Sequence, residues 1–290
     1  MTTAYRIEKL TGYAVDVYEA RDRPGGRVYT VRMGNSYEEL GGKSIADGGE
    51  ATNIRFLIEE MGLKMETCTI DFAHRKCYYK GKSTPYYKAY LEGPLPDQQL
   101  YRQVLNWSQN STNMAEILDR LFAHYPLLRQ ISEVRMRAYE GNDAKDLSLA
   151  YLEGFWDYFL SGYNFAHHKQ TMDYQLESIE GGNSLLIEKL TAALRRPIHF
   201  HAPLRKITKT PEGKISLQFD NLNEVLTDYL VLAIPCSTLQ KVEIQEGLLA
   251  KDQKEAIHTL QYGTNSKILV PVANIPENPP MFSLTDTMTT

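Results

Sequence analysis

A chain of 290 residues with 42% hydrophobic and 23% charged residues is long enough to bury a sizeable core and has the composition of an ordinary globular protein. Thirty-two Lys plus Arg against thirty-six Asp plus Glu leave a formal net charge of -4, so no global basic field draws in nucleic acid, and no apolar run is long enough to cross a bilayer. The three cysteines, Cys68, Cys77 and Cys236, have no CxxC spacing and are too few for a disulfide framework; they read as buried small apolar residues, and a cytoplasmic location is the expectation.

In chain order, Ala4, Ile7 and Leu10 fall at helical spacing and Gly12 follows as a stop, which predicts a helix ending near Thr11. Ala14 to Tyr18 is short, β-branched and alternating, a strand that runs through Glu19 into the turn-rich Asp22 to Gly26. A helix followed directly by a strand predicts a βαβ unit whose first strand lies outside the given sequence. Gly41-Gly42 and Gly48-Gly49 bracket a loop, after which Ile54, Leu57, Ile58 and Met61 share one helical face closed by Gly62, with Asn53 as the expected cap. A hairpin is predicted over Asp71 to Ser83, and Pro94 with Pro96 marks a boundary.

Residues 97 to 165 read as largely helical, with Leu118, Leu121, Phe122, Leu149, Leu152 and Phe155 as core positions. Ser178 to Leu194 is a glycine-rich loop entering a helix, Ile198 to Phe219 reads as strands, Tyr229 to Pro235 as a buried strand and Tyr262 to Val272 as one more. Asn274 to Thr290 is polar and without periodicity. The pattern predicts an α/β fold: a discontinuous Rossmann-like domain over 1–80 and 179–255, a mostly helical insert over 81–178, and the start of a further sheet over 256–290.

The segment VDVYEARDRPGGRVYT, Val15 to Thr30, carries the strongest chemistry. A carboxylate at the carboxyl end of the second strand of such a unit is where ribose hydroxyls need an acceptor, and Glu19 stands there, followed by Ala20 and Arg21. Gly25 and Gly26 let backbone amides approach a phosphate, and Arg27 offers a fork of donors to an anion; taken alone, the same residues also describe a plain turn beside a surface charge. An acidic residue in this place serves NAD as well as FAD, and the Gly-Gly-Arg sequel favours FAD. In Glu180-Gly181-Gly182-Asn183, small residues opening a helix predict free N–H groups facing an electronegative cofactor edge, a capped surface helix being the alternative. His199 and His201 share a predicted strand face and His167 adjoins His168, but no ligand spacing completes a metal site. Phe155, Trp156, Tyr158, Phe159, Tyr163 and Phe165 either line a pocket or, as helical aromatics more often do, fill a core.

The Val15 to Thr30 segment resembles the signature of the flavin amine oxidase family, which includes monoamine, polyamine and L-amino-acid oxidases and shares its fold with protoporphyrinogen oxidases and carotenoid desaturases. Thr2-Thr3-Ala4-Tyr5-Arg6-Ile7 is similar to that family's first helix, so the resemblance places the preceding strand and GxGxxG loop upstream of Met1. It is strong at Val15 to Val31, fair at Tyr37 to Leu63 and at Gly181 to Lys267, and weak across residues 80 to 175. It implies FAD as cofactor, with Gly41, Gly42 and Lys43 near the flavin ring, Glu39 orienting that loop, Leu204 at the adenine where valine is more usual, and Lys267 holding a water near the reactive flavin nitrogen. The substrate it implies is a small amine or amino acid. Because family members continue well past a position like Pro271, a second expectation is a non-catalytic piece that binds FAD weakly or not at all.

Overall fold

The computed structural model describes residues 1–45, 51–69, 75–168, 175–271, 273–274 and 281–285; the expected Gly48-Gly49 turn lies outside them. The chain forms two compact units, Met1–Thr67 with Glu177–Tyr262, and Cys68–Leu176 with Gly263–Thr290. Among the described residues no helix is long and apolar enough to cross a membrane.

In the first unit the predicted helix forms over Thr2–Thr11 and stops at Gly12, whose φ of 77° turns the chain left-handed and returns its N–H to the Glu8 carbonyl. Glu8 is buried on this helix, and its carboxylate accepts from Val15 N at 3.0 Å and Arg195 N at 2.9 Å. Burial alone would raise its pKa, but those two amides and the guanidinium groups of Arg195 and Arg196 hold it below the usual glutamate value. A second helix, Thr52–Glu60, buries Leu57 and Ile58 against Ile179, Leu186 and Leu190, with Ile54 and Met61 at the margin, as its apolar face predicts. It starts after Ala51, so Asn53 lies inside the first turn and caps nothing; the point at which the chain enters the helix, not the best capping side chain nearby, sets its start.

A four-stranded sheet has the order Glu243–Ile244, Leu204–Lys209, Ile215–Phe219, Val225–Thr227, the first pair parallel and the others antiparallel. Ile207, Leu217, Phe219, Leu239 and Val242 make its core. Thr30–Met33 and Ser36–Glu39 form an antiparallel hairpin.

Three expected strands do not form as ladders. Ala14 to Tyr18 contributes one parallel bridge, Tyr18 to His199. Tyr229 to Pro235 has no regular structure and is not buried: Leu230 and Leu232 are half-buried against the sheet core, while Tyr229 is 89% exposed. Residues 262–271 are likewise irregular and mostly exposed. An apolar run expresses a preference for burial, but a strand exists only where a neighbour supplies a ladder of N–H and C=O groups; among the described residues the first segment finds only the short stretch at His199 and the other two find none.

The second unit is built on the helices Gln98–Ser108, Met114–Leu121, Pro126–Glu140 and Leu152–His168. Asp97 and Asn113 cap the first two through bonds to Leu100 N and Glu116 N, and Pro126 opens the third. Leu118, Leu121, Phe122, Leu152 and Phe155 are buried as predicted, and Leu149 packs at the edge. Trp156, Tyr158 and Phe159 join the same core, whereas Tyr163 and Phe165 are half-buried. Arg75–Tyr79 and Lys82–Pro85 form the expected hairpin through Lys80 and Gly81, both at positive φ; residues 70–74 of the predicted span lie outside the described ones. Met281–Thr285 pairs parallel with Arg75–Tyr79, so the polar terminal stretch does contain a strand; five residues are too few to register against the polar average around them.

Candidate functional site

All the cofactor residues expected from the sequence fall in the first unit. Val17 to Arg21 rides alongside His199 to Ala202: His199 N donates to the Val17 carbonyl, Glu19 N to that of His199 and Ala202 N to that of Glu19, each at 2.9 Å, and His201 N reaches the Arg21 carbonyl at 3.1 Å. The Tyr18 ring stacks on His199 and on Phe219, both at 4.7 Å between centroids. This anchors the half-buried Glu19, whose Oε1 accepts from Arg21 N at 2.9 Å. Ala20 and Arg21 are exposed. Burial pushes the α-amino group of Met1 down in pKa, and the negative charge of Glu19 opposes that shift. His201 adopts a φ of 55°, so it and His199 do not share a strand face, because the chain turns between them.

The loop after Glu19 depends on a residue that spacing did not single out. The Arg23 guanidinium donates to the carbonyls of Pro24 and Val28 at 3.3 Å and of Gly26 at 2.9 Å, and lies 3.9 Å from the centre of the Tyr29 ring. Gly25 and Gly26 take φ of 99° and 54°, values that penalise any side chain. A Cβ on Gly25 would stand 3.2 Å from Ile187, whereas one on Gly26 would meet nothing within 4 Å, and Arg27 is exposed. The loop is therefore braced from one side by Arg23 and open on the other. A run of basic residues with glycines between them was the available signal for Arg23.

Gly41 and Gly42 differ sharply in surroundings. Leu40 and Gly41 donate to the Tyr29 carbonyl and Gly42 to that of Arg27, and a Cβ on Gly41 would lie 2.1 Å from the Arg27 oxygen. On Gly42 it would meet nothing within 4 Å. Lys43 is exposed, with its ammonium 3.7 Å from Glu38.

Asn183 and Glu39, both buried, join these loops to the Ser184–Ala192 helix. Glu39 Oε1 accepts from Thr30 Oγ1 at 2.8 Å and Asn183 N at 2.7 Å; Ser184 N donates to Thr30 Oγ1 and Thr30 N to Ser184 Oγ, each at 2.9 Å. Gly182 passes so close that a Cβ would stand 2.4 Å from Thr30 Cγ2. Consequently the start of this helix does not offer the free amides expected of it: the N–H groups of Asn183 and Ser184 are taken by Glu39 and Thr30, and those of Leu185 and Leu186 turn back to the Gly182 and Asn183 carbonyls. Packing of the hairpin onto the helix satisfies the donors that sequence leaves open.

Leu204 begins the Leu204–Lys209 strand, half-buried against the sheet core and paired with Phe219. Lys267 belongs to the second unit, exposed in the irregular stretch 262–271. Cys77 is buried, but Cys236 is only half so, because it opens a short surface helix, Cys236–Leu239. No group of three or more His, Cys, Asp or Glu residues arranged for a metal occurs among the described residues.

A family model described as flavin containing amine oxidoreductase matches residues 1–278. The lysine-specific histone demethylase 1 homolog 2 of Oryza sativa subsp. japonica is 24% identical over 268 residues, covering 89% of this chain and 33% of that protein. The flavin-containing amine oxidase B of Sus scrofa is 43% identical over 88 residues, 30% of this chain and 15% of that one. A redesigned putrescine oxidase structure shares the fold at a TM-score of 0.64 and 18% identity, covering 90% of this chain and 61% of its own. The chain thus spans about a third or less of the length of these curated relatives.

Proposed function

Since the chain belongs to the flavin containing amine oxidoreductase family, in which a flavin cofactor is implied, we propose that its first unit is a Rossmann-like FAD-binding domain and its second unit a substrate domain of an enzyme oxidising a C–N bond. The observation that carries this reading is the joining of 25–30 and 39–43, the two ends of one hairpin, to the distant segment 182–184 through the Thr30, Glu39, Asn183 and Ser184 hydrogen bonds. Bringing such loops together, with open space at Gly26 and at Gly42, is what a large cofactor requires.

The residues present fit such a group. Glu19 is an acceptor for ribose hydroxyls, Gly25, Gly26 and Arg27 suit a diphosphate, and the space beyond Gly26 and Gly42 is the kind a ligand fills where a Cβ would intrude. Ala20 and Arg21 would stand beside the ribose, Leu204 would offer an apolar contact and backbone to the adenine, and Gly41, Gly42 and Lys43 would hold the ring. Bound flavin supplies the acceptor for a hydride equivalent taken from a carbon bearing an amine, with oxygen as final acceptor and water hydrolysing the imine. Lys267 would hold a water and supply positive charge at the reacting centre. The substrate we infer is a small amine or amino acid, a reading supported by the amine oxidoreductase family to which the chain belongs.

Titration with FAD, followed by the visible flavin spectrum and thermal stability, tests this. Saturable binding with a raised melting temperature is expected, since a ligand that binds only the folded state stabilises it. No spectral change and no stabilisation would leave the chain without the proposed cofactor site. Peroxide released on adding an amine would extend the result to catalysis.

A further inference from the structure

Asn183 immediately precedes the Ser184–Ala192 helix, where an asparagine ordinarily turns its side chain onto the first helical amides. It makes no such bond. Instead Nδ2 donates to the Gly42 and Lys43 carbonyls, both at 2.9 Å, while Oδ1 accepts from Ile179 N at 3.0 Å. Asn183 is buried, with 6% of its surface exposed; its bond from Ile179 N is fully buried and the two to the exposed Gly42 and Lys43 are partly so, and a buried amide left without them loses its partners at a cost. A stabilising cap is forgone in favour of fixing a loop about 140 residues away in sequence.

The direction of that loop follows from peptide geometry. In a trans peptide the C=O and the following N–H point opposite ways. With the Gly42 and Lys43 carbonyls both drawn to one nitrogen, the N–H groups of Lys43 and Ser44 are aimed together to the other side. Among the described residues nothing accepts from either, Ser44 is exposed, and beside them lies the open space at Gly42. Successive N–H groups presented to one side form a concavity for an electronegative group.

We propose that Asn183 is a positioning residue for the cofactor, aiming the Lys43 and Ser44 amides at the carbonyl and ring-nitrogen edge of the flavin. This rests on the first unit being the FAD-binding one. It assigns to the 42–44 loop the discrimination between a whole flavin dinucleotide and its ADP half, which Glu19 and the Gly25 to Arg27 loop would hold without it.

The test compares FAD with ADP as ligands of the wild type and of Asn183→Ala. The wild type should bind FAD more tightly than ADP. In the variant the ADP Kd should stay within about twofold while the FAD Kd rises by about tenfold, the effect expected of one or two lost hydrogen bonds. An unchanged FAD-to-ADP ratio would overturn the proposal. If Asn183→Ala does not fold, amide exchange of the wild type decides: FAD, and not ADP, should slow exchange at Lys43 and Ser44, and equal rates would refute the assignment. A wild type that binds neither ligand removes the underlying reading, an outcome separate from one in which both bind and the ratio persists.

Discussion

Gly41 lies so close to Arg27 that a methyl group on its Cα would sit 2.1 Å from the Arg27 carbonyl oxygen and 2.7 Å from Tyr29 N. Its neighbour Gly42 has open space instead. Two adjacent glycines therefore do different work: the first permits backbone to pack on backbone, and the second leaves the loop surface unobstructed.

Gly41→Ala should destabilise the first unit by roughly 2–4 kcal/mol, because the collision is with backbone that cannot swing aside. Gly42→Ala should melt within a degree or two of wild type yet weaken FAD binding, since its methyl projects into the proposed cofactor space. Thermal unfolding without ligand and FAD titration separate the two effects. Equal loss of stability in both variants would contradict the distinction.

In the second unit, Gly162 lies within the Leu152–His168 helix, where alanine would ordinarily be favoured by about 1 kcal/mol. A Cβ there would meet the Tyr90 ring at 2.4 Å, and Tyr90 is itself 2% exposed. Gly162→Ala is expected to cost about 1–3 kcal/mol despite its better helix propensity, measured by urea unfolding.

Glu8 has a pKa held below its ordinary value in the folded chain: burial works against this, and the Val15 and Arg195 amides with the Arg195 and Arg196 charges outweigh it. Its contribution is fully present above the unfolded carboxylate pKa and is lost as pH falls through the lower folded value. Glu8→Gln should therefore be less stable than wild type at pH 7, with the gap narrowing below about pH 4.3. Denaturant midpoints across pH 3 to 7 check this, and a gap that widens on acidification would reverse the sign.

Lys267 is exposed, so Lys267→Met should leave melting temperature and FAD affinity near wild type. If it supplies charge at the reacting centre, amine-dependent peroxide release should fall on the order of a hundredfold, within the range seen when one electrostatic contributor is removed. An unaltered rate would take Lys267 out of the chemistry.

Local chemistry was legible in the sequence. The helical spacing of Ala4, Ile7 and Leu10 with Gly12, the apolar face of Thr52–Glu60, and the glycines that take φ of 99° and 54° at Gly25 and Gly26 are each governed by neighbours a few residues away. Tertiary structure alone decided what depends on distant partners. The run Tyr229 to Pro235 has strand composition but gains no ladder, while Met281–Thr285 gains one from Arg75–Tyr79. Asn183 turns from its helix to Gly42 and Lys43, and Arg23 rather than Arg27 braces the Gly-Gly loop. Spacing reveals periodicity and backbone conformation, but a hydrogen-bond partner 140 residues away is set by how the segments pack.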